Sequence, residues 1–329
     1  MDMNARADQL KGWIPIRLYW NERTPAIDWC WIGTRRFTDS FFSQTIDACL
    51  QLPFSSLFRP QTPIDTLRER HAIDPGLEPR GFIFHMSRCG STVVSRMIAS
   101  LPGSVVLSEP GPIDSVLRAR FQDPSLTEEN RAHWLKWMIS ALGQRRNEND
   151  RRLFINFDTW SVLDLSLIHR VYPGVPWIFL YRDPVEVLVS QFSHRGAHMV
   201  PGAIEPELIG MKLDEVFEME PEEYCSRILA CVCEAALRHN EGSRGMMINY
   251  AQLPEAVLTH ILDFFGVEIT DSEKEALLCV ARLDAKNTSF AFERGSKRDQ
   301  KRGTEAMRAA VARWFSPIYE QLEAARIGT

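Results

Sequence analysis

The sequence predicts an α/β fold: a parallel central sheet flanked by helices, with an N-terminal α+β extension. Three observations predict it. From Gly81 onward, short apolar runs alternate with segments of helical period, the pattern of a parallel sheet covered on both faces. The first 79 residues break that pattern, with two strand-like runs, one helix and a proline-rich stretch. The composition, 45% hydrophobic and 25% charged over 329 residues, is that of a globular protein in water. The expected division is an extension over residues 1–79 and a main domain over 80–329.

In the extension, Ile16–Trp20 and Ile27–Ile32 read as strands. Asp39–Leu50 reads as a helix, because Phe41, Phe42, Ile46 and Cys49 recur at helical spacing and Thr38 or Asp39 would cap it. Gln51–Pro79 holds five prolines and reads as an irregular connection. In the main domain, Gly81–His85 is the first strand. A turn, Ser87-Arg88-Cys89-Gly90, leads to a helix with Val93, Val94, Met97, Ile98 and Leu101 on one face. Ser104–Leu107, Leu153–Phe157, Val175–Tyr181 and Met246–Tyr250 are further strands. Helices are expected around Trp134–Leu142, from Pro184 with Asp183 as its N-cap, over Tyr224–His239, and over Ala256–Phe265 up to Gly266.

Charge and cysteine usage narrow the function. A net charge of −5 argues against a nucleic-acid partner. The seven cysteines form no C-x-x-C pair, and Cys231 and Cys233 point apart on a helix. No metal motif is found. No basic-then-apolar leader begins the sequence, and no apolar run is long enough to span a bilayer. The expected location is the cytoplasm, with no integral membrane segment; a homodimer stays open.

The strongest chemistry sits in His85-Met86-Ser87-Arg88-Cys89-Gly90-Ser91-Thr92. A turn from strand to helix presents unsatisfied N–H groups and the positive helix end to an anion. Gly90 would let the backbone approach it, Ser91 and Thr92 add hydroxyls, and Arg88 supplies a cation. The bland alternative is a surface turn with a glycine. A Walker A loop does not fit, because His85 stands at its first glycine and Ser91 at its lysine. A cysteine phosphatase does not fit, because Ser95 stands six residues after Cys89 where arginine is needed.

These residues resemble the 5′-phosphosulfate loop of the sulfotransferases that use 3′-phosphoadenosine 5′-phosphosulfate (PAPS). Arg88 stands where many members have lysine, and Cys89 where serine is usual. Tyr181-Arg182-Asp183-Pro184 and Ser190 are similar to the family's 3′-phosphate motif. Ile248–Leu253 and the segment ending Phe264-Phe265-Gly266 match a third stretch. The resemblance implies a P-loop-like nucleotide-binding fold of the bacterial branch. It implies PAPS as sulfonate donor, released as 3′-phosphoadenosine 5′-phosphate (PAP), and no metal. It implies Arg88, Cys89, Gly90, Ser91, Thr92, Arg182 and Ser190 as donor contacts, with Tyr250 near the adenine. In the basic run near the C-terminus, it implies that Lys297, Arg298 and Lys301 fold over the nucleotide.

The acceptor would be a hydroxyl or amine on a small molecule, lipid or peptide. Its proton needs a base. Cytosolic relatives use a histidine after the middle strand and other branches a glutamate after the second. Asn156-Phe157-Asp158-Thr159 lacks the expected histidine, so Glu109, just past a strand end, is the expected base and Asp158 the second candidate. His85 reads as packed. His194, Arg195 and His198 read as facing solvent or the acceptor. A magnesium-dependent small-molecule kinase and a non-catalytic nucleotide binder are the competing readings.

Overall fold

The computed structural model describes residues 10–193, 195–240, 244–281 and 302–327. In the N-terminal part, β1 (Trp13–Asn21) and β2 (Thr24–Trp31) form an antiparallel hairpin. Helix α1 (Phe42–Leu50) follows, and β3 (Gln61–Pro63) pairs antiparallel with β2 to close a three-stranded sheet. Helix α2 (Asp65–Ile73) leads to the second sheet.

Helix α1 is capped by Phe41 rather than Thr38 or Asp39. The Gln44 side chain takes the Phe41 N–H, while Asp39 instead accepts from Thr45 Oγ1 at 2.6 Å. Gln51–Pro79 is ordered secondary structure, with a short helix Pro53–Leu57, β3 and α2. The prolines sit at the ends of these pieces or between them, where a missing N–H costs little.

The second sheet has five parallel strands: β4 (Pro79–His85), β5 (Ser104–Ser108), β6 (Arg152–Asn156), β7 (Trp177–Tyr181) and β8 (Gly245–Asn249). Their spatial order is β5-β6-β4-β7-β8. Phe82, Ile83, Phe84 and every residue of β7 are fully buried, as expected where helices cover both faces. After β4 come α3 (Ser91–Ser100), α4 (Gly111–Leu117), α5 (Glu128–Leu142) and α6 (Leu165–Val171). After β7 come α7 (Pro184–Ser193) and α8 (Pro221–Asn240), and the chain ends with α9 (Asp271–Ala281), α10 (Glu305–Trp314) and α11 (Ser316–Ala324). Asp183 Oδ1 accepts from the Glu186 N–H, the predicted cap of α7. The helix expected over Ala256–Phe265 opens as a wide turn over Val257–Ile261 and closes on Gly266 at φ 63°.

The strand order fixes where a ligand can lie. The chain leaves β4 for the β5 edge, returns through β6, and crosses β4 to β7. Loops after neighbouring strands therefore part at the C-terminal edge, where such sheets open a crevice. No helix among the described residues is long and apolar enough to cross a membrane.

The two sheets are joined through buried polar contacts as well as a shared core. β1 packs on α4 and α5. Gln144, just past α5, accepts from the Gly12 N–H at 3.0 Å and donates to the Trp13 carbonyl at 2.6 Å. Gln144 is almost fully buried, so truncating it strands both backbone groups. Gln144→Ala is expected to lower the unfolding free energy by about 2 kcal/mol or more, read as a lower urea midpoint at unchanged slope. An unchanged midpoint would show that this bridge does not hold the hairpin to the body.

Candidate active site

Loops from all five strand ends enclose a cavity of about 790 Å³. The turn after β4 shapes its floor. Ser87 and Arg88 take φ of 73° and 54°, and Gly90 takes 89° as N-cap of α3. Glycine is required at 90 for two reasons. The φ is left-handed, and a Cβ there would lie 2.7 Å from Leu253 Cδ1 and 3.0 Å from the Tyr250 ring. Glu109, after β5, has φ 52° and precedes Pro110, where a helical conformation is normally avoided. Among the described residues, three of the four non-glycine residues with positive φ thus line this one cavity. Strain of about 1–3 kcal/mol each is held where it could serve a ligand.

The cationic side of the cavity is built on β4 and β7. Arg88 Nε donates to Ser190 Oγ at 2.7 Å, which brings the first turn and α7 together. Arg182 is buried at the end of β7. Its Nε donates to Glu186 at 2.7 Å, its Nη1 to the Arg88 carbonyl at 3.3 Å, and its guanidinium lies 4.5 Å over the Tyr250 ring. Gln191 Nε2 donates to Ser87 Oγ at 2.9 Å, and its Oε1 takes the Gly196 N–H. Ser91, Thr92 and Arg195 complete this side.

The acidic side is built on β5 and β6. Glu109 and Asp158 both line the cavity. The Glu109 N–H donates to the Asn156 carbonyl at 2.7 Å, continuing the β5–β6 pairing one residue past the strand. His85 lies between the two sides. Its Nδ1 accepts the Ser87 N–H at 3.1 Å, so the proton of the neutral ring sits on Nε2. That atom is 3.4 Å from Glu109 Oε1, outside hydrogen-bond geometry and without another partner. Thr159 Oγ1 also reaches His85 Nδ1, at 3.2 Å.

Burial raises the Asp158 pKa well above its ordinary 3.8, and Glu109 and Asp114 raise it further. Asp114 is raised by its own burial, against the Trp160 indole N–H and Arg118. His198 is pushed down to about 3 by burial and by His85. His198 is therefore neutral at physiological pH.

Residues 79–271, more than half of the chain, match the sequence profile described as Sulfotransferase family. The chain belongs to the sulfotransferase family. A comparison with curated proteins gave no match. Among solved structures, it is similar to a sulfotransferase from Alicyclobacillus acidocaldarius, with 17% identity over 75% of this chain and 95% of that one, at TM-score 0.45. It is also similar to one from Mycobacterium avium, with 13% identity over 74% of this chain and 77% of that one, at TM-score 0.43.

The structure of this sulfotransferase gathers Arg88, Gly90, Ser91, Thr92, Glu109, Asp158, Arg182, Ser190 and Tyr250 around one cavity. Cys89 is placed differently. Its side chain is fully buried and its Sγ donates to the Leu180 carbonyl at 3.1 Å, away from the cavity. Burial pushes its thiol up to about 12. His198 is buried in the cavity wall rather than turned to solvent. Lys297, Arg298, Lys301 and His194 lie outside the described residues. Sequence reading missed Ser87, Gln191, Trp160 and the pairing of His85 with Glu109. Only the position of His85 at a strand end signalled it.

The Asp158 shift has a pH consequence. Its folded-state pKa lies above 3.8, so the folded chain disfavours its carboxylate. Stability is lost as pH rises from near 3.8 toward the folded value. Asp158→Asn carries no such cost. By scanning calorimetry the variant should melt higher than wild type at neutral pH, with the gap closing near pH 3.8. A variant that melts lower at neutral pH would mean that the ionised carboxylate is stabilised in place.

Proposed function

We propose that this sulfotransferase takes its sulfonate from PAPS and delivers it to a hydroxyl or amine by in-line displacement, with Glu109 as general base. One observation carries the reading: the strand order splits the cavity by charge. Acids follow β5 and β6, while cations follow β4 and β7. Three strand spacings, roughly 14 Å, separate the two outer positions. That leaves room for an anionic donor over β4 and β7 and an acceptor over β5 and β6.

On this reading residues 80–329 carry the reaction and residues 1–79 are an accessory layer. Arg88, Ser190 and Arg182 hold the donor's phosphates, with the N–H groups at the start of α3. Tyr250, already flat against Arg182, takes the adenine side. The acceptor oxygen forms its bond to sulfur as the bond from sulfur to the bridging oxygen breaks. The acceptor's proton passes to Glu109, and PAP leaves with the electron pair. Positioning and charge stabilisation supply most of the rate, by analogy with phosphoryl transfer. Burial and the neighbouring Glu109 charge disfavour the Asp158 carboxylate, so the role of base falls to Glu109. The Glu109 backbone is held by its N–H bond to the Asn156 carbonyl, and its carboxylate lies 3.4 Å from His85 Nε2.

Two measurements test this. Glu109→Gln should bind PAP as wild type and lose roughly 10²–10⁴ in turnover, whereas Asp158→Asn should keep most of it. Normal turnover in Glu109→Gln with a dead Asp158→Asn would move the base to β6. Ser190→Ala should raise KM for PAPS by about tenfold or more, with little change for adenosine 5′-phosphosulfate, which lacks the 3′-phosphate. Equal effects on both donors would remove Ser190 from the 3′-phosphate site.

A further inference from the structure

A second cavity, of about 680 Å³, lies in the N-terminal part, built on other residues than the active site. Lys11, Arg35, Arg145 and Arg146 line it, and no carboxylate does. Its apolar lining includes Trp31 and Leu52. Arg146 is the built element. Its guanidinium stacks 4.6 Å over the Phe37 ring, and its Nε and Nη1 are buried with no hydrogen-bond partner. Asp150, an acid close enough to raise the Arg146 pKa, spends Oδ2 on the Arg146 and Asn147 backbone N–H groups. Buried guanidinium nitrogens left unpaired in this way are costly unless an anion meets them.

Beside the cavity runs an exposed apolar ridge. Leu52, Phe54, Leu57 and Phe58 are all exposed, Leu57 at 78%, in and around the short helix Pro53–Leu57. Phe54 stacks at 5.1 Å on Phe58 and meets Trp13 and Trp31, which joins the ridge to the cavity mouth. Phe54, Leu57 and Phe58 do not line the cavity, so a small ligand inside it would leave them in water. A second copy of the chain docked on the same face would set four cations against four. An apolar ridge beside an all-cationic cavity matches one surface: apolar chains below a layer of anionic headgroups.

We propose that the N-terminal part is a docking face for an anionic lipid bilayer. Leu57 and Phe58 enter the acyl boundary, and one headgroup phosphate sits on Arg146, Arg145 and Lys11. The site is independent of the sulfonate-transfer reading and tested without it. The full chain is sedimented with vesicles of phosphatidylcholine alone and of phosphatidylcholine with phosphatidylglycerol in equal parts. Binding is expected on the anionic vesicles only, weakening as salt rises. The double variant Leu57→Asn, Phe58→Asn should lose at least about tenfold in binding at an unchanged melting temperature. Lys11→Gln and Arg145→Gln, both exposed, should each lose about fivefold. Equal binding to both vesicle types, or none to either, overturns the proposal. So does a vesicle-free dimer, seen by analytical ultracentrifugation, that the Leu57, Phe58 variant dissolves, since the ridge would then belong to a second copy.

Discussion

The guanidinium of Arg182 ties together four segments at the C-terminal edge of the parallel sheet. Its Nε holds Glu186 on α7, and its Nη1 holds the Arg88 carbonyl in the strained turn after β4. Its flat face rests on Tyr250 after β8, and its own backbone N–H points at Met86 Sδ at 3.2 Å. Arg182 and Glu186 are both buried, so each is costly to leave alone. The turn keeps its left-handed residues because this clamp and the Gln191–Ser87 bond hold it from the α7 side. Tyr250 and Leu253, with the left-handed φ, in turn limit residue 90 to glycine. Sheet, turn and cavity floor therefore depend on one charged side chain placed at a strand end.

The sheet's connectivity accounts for the rest of the site. The excursion from β4 to β5 and back through β6 puts Glu109 and Asp158 on adjacent strand ends. The crossing to β7 puts Arg182 on the far side of β4. Two carboxylates on adjacent strand ends disfavour each other's ionisation, and Asp158 is the one pushed upward. Backbone strain falls on the residues of both halves, at Ser87 and Arg88 on one side and Glu109 on the other. That is how a fold aims side chains it could otherwise leave in relaxed turns.

Much of this was legible in the sequence. Continuous apolar runs, such as Phe82–Phe84 in β4 and the whole of β7, declare burial on both faces. Helix starts at Ser91 and Pro184 follow from a glycine N-cap and an Asp-Pro pair. The meeting of Arg88 with Ser190 was foreseeable once both turns were placed at one sheet edge. What escaped was decided by packing. Prolines in Gln51–Pro79 suggested disorder of pattern, but they bound short elements that the hairpin and α5 cover. Cys89 looked like a ligand residue by position, yet its Sγ turns inward to Leu180 because a left-handed turn reverses the side chain's direction. The links from His85 to Glu109 and from Gln191 to Ser87 join residues whose separation in sequence carries no periodic signal.

On the proposed reading, the cationic half of the cavity takes a nucleotide bearing a 3′-phosphate. Calorimetric titration of the full chain with PAP, adenosine 5′-phosphate and magnesium ATP tests it most directly. PAP should bind at least about tenfold more tightly than adenosine 5′-phosphate, since the added phosphate gains charged hydrogen bonds worth roughly 1.5–3 kcal/mol each. It should also bind more tightly than magnesium ATP. Equal affinity for PAP and adenosine 5′-phosphate, or a preference for magnesium ATP, would mean that this half of the cavity is not a 3′-phosphate site.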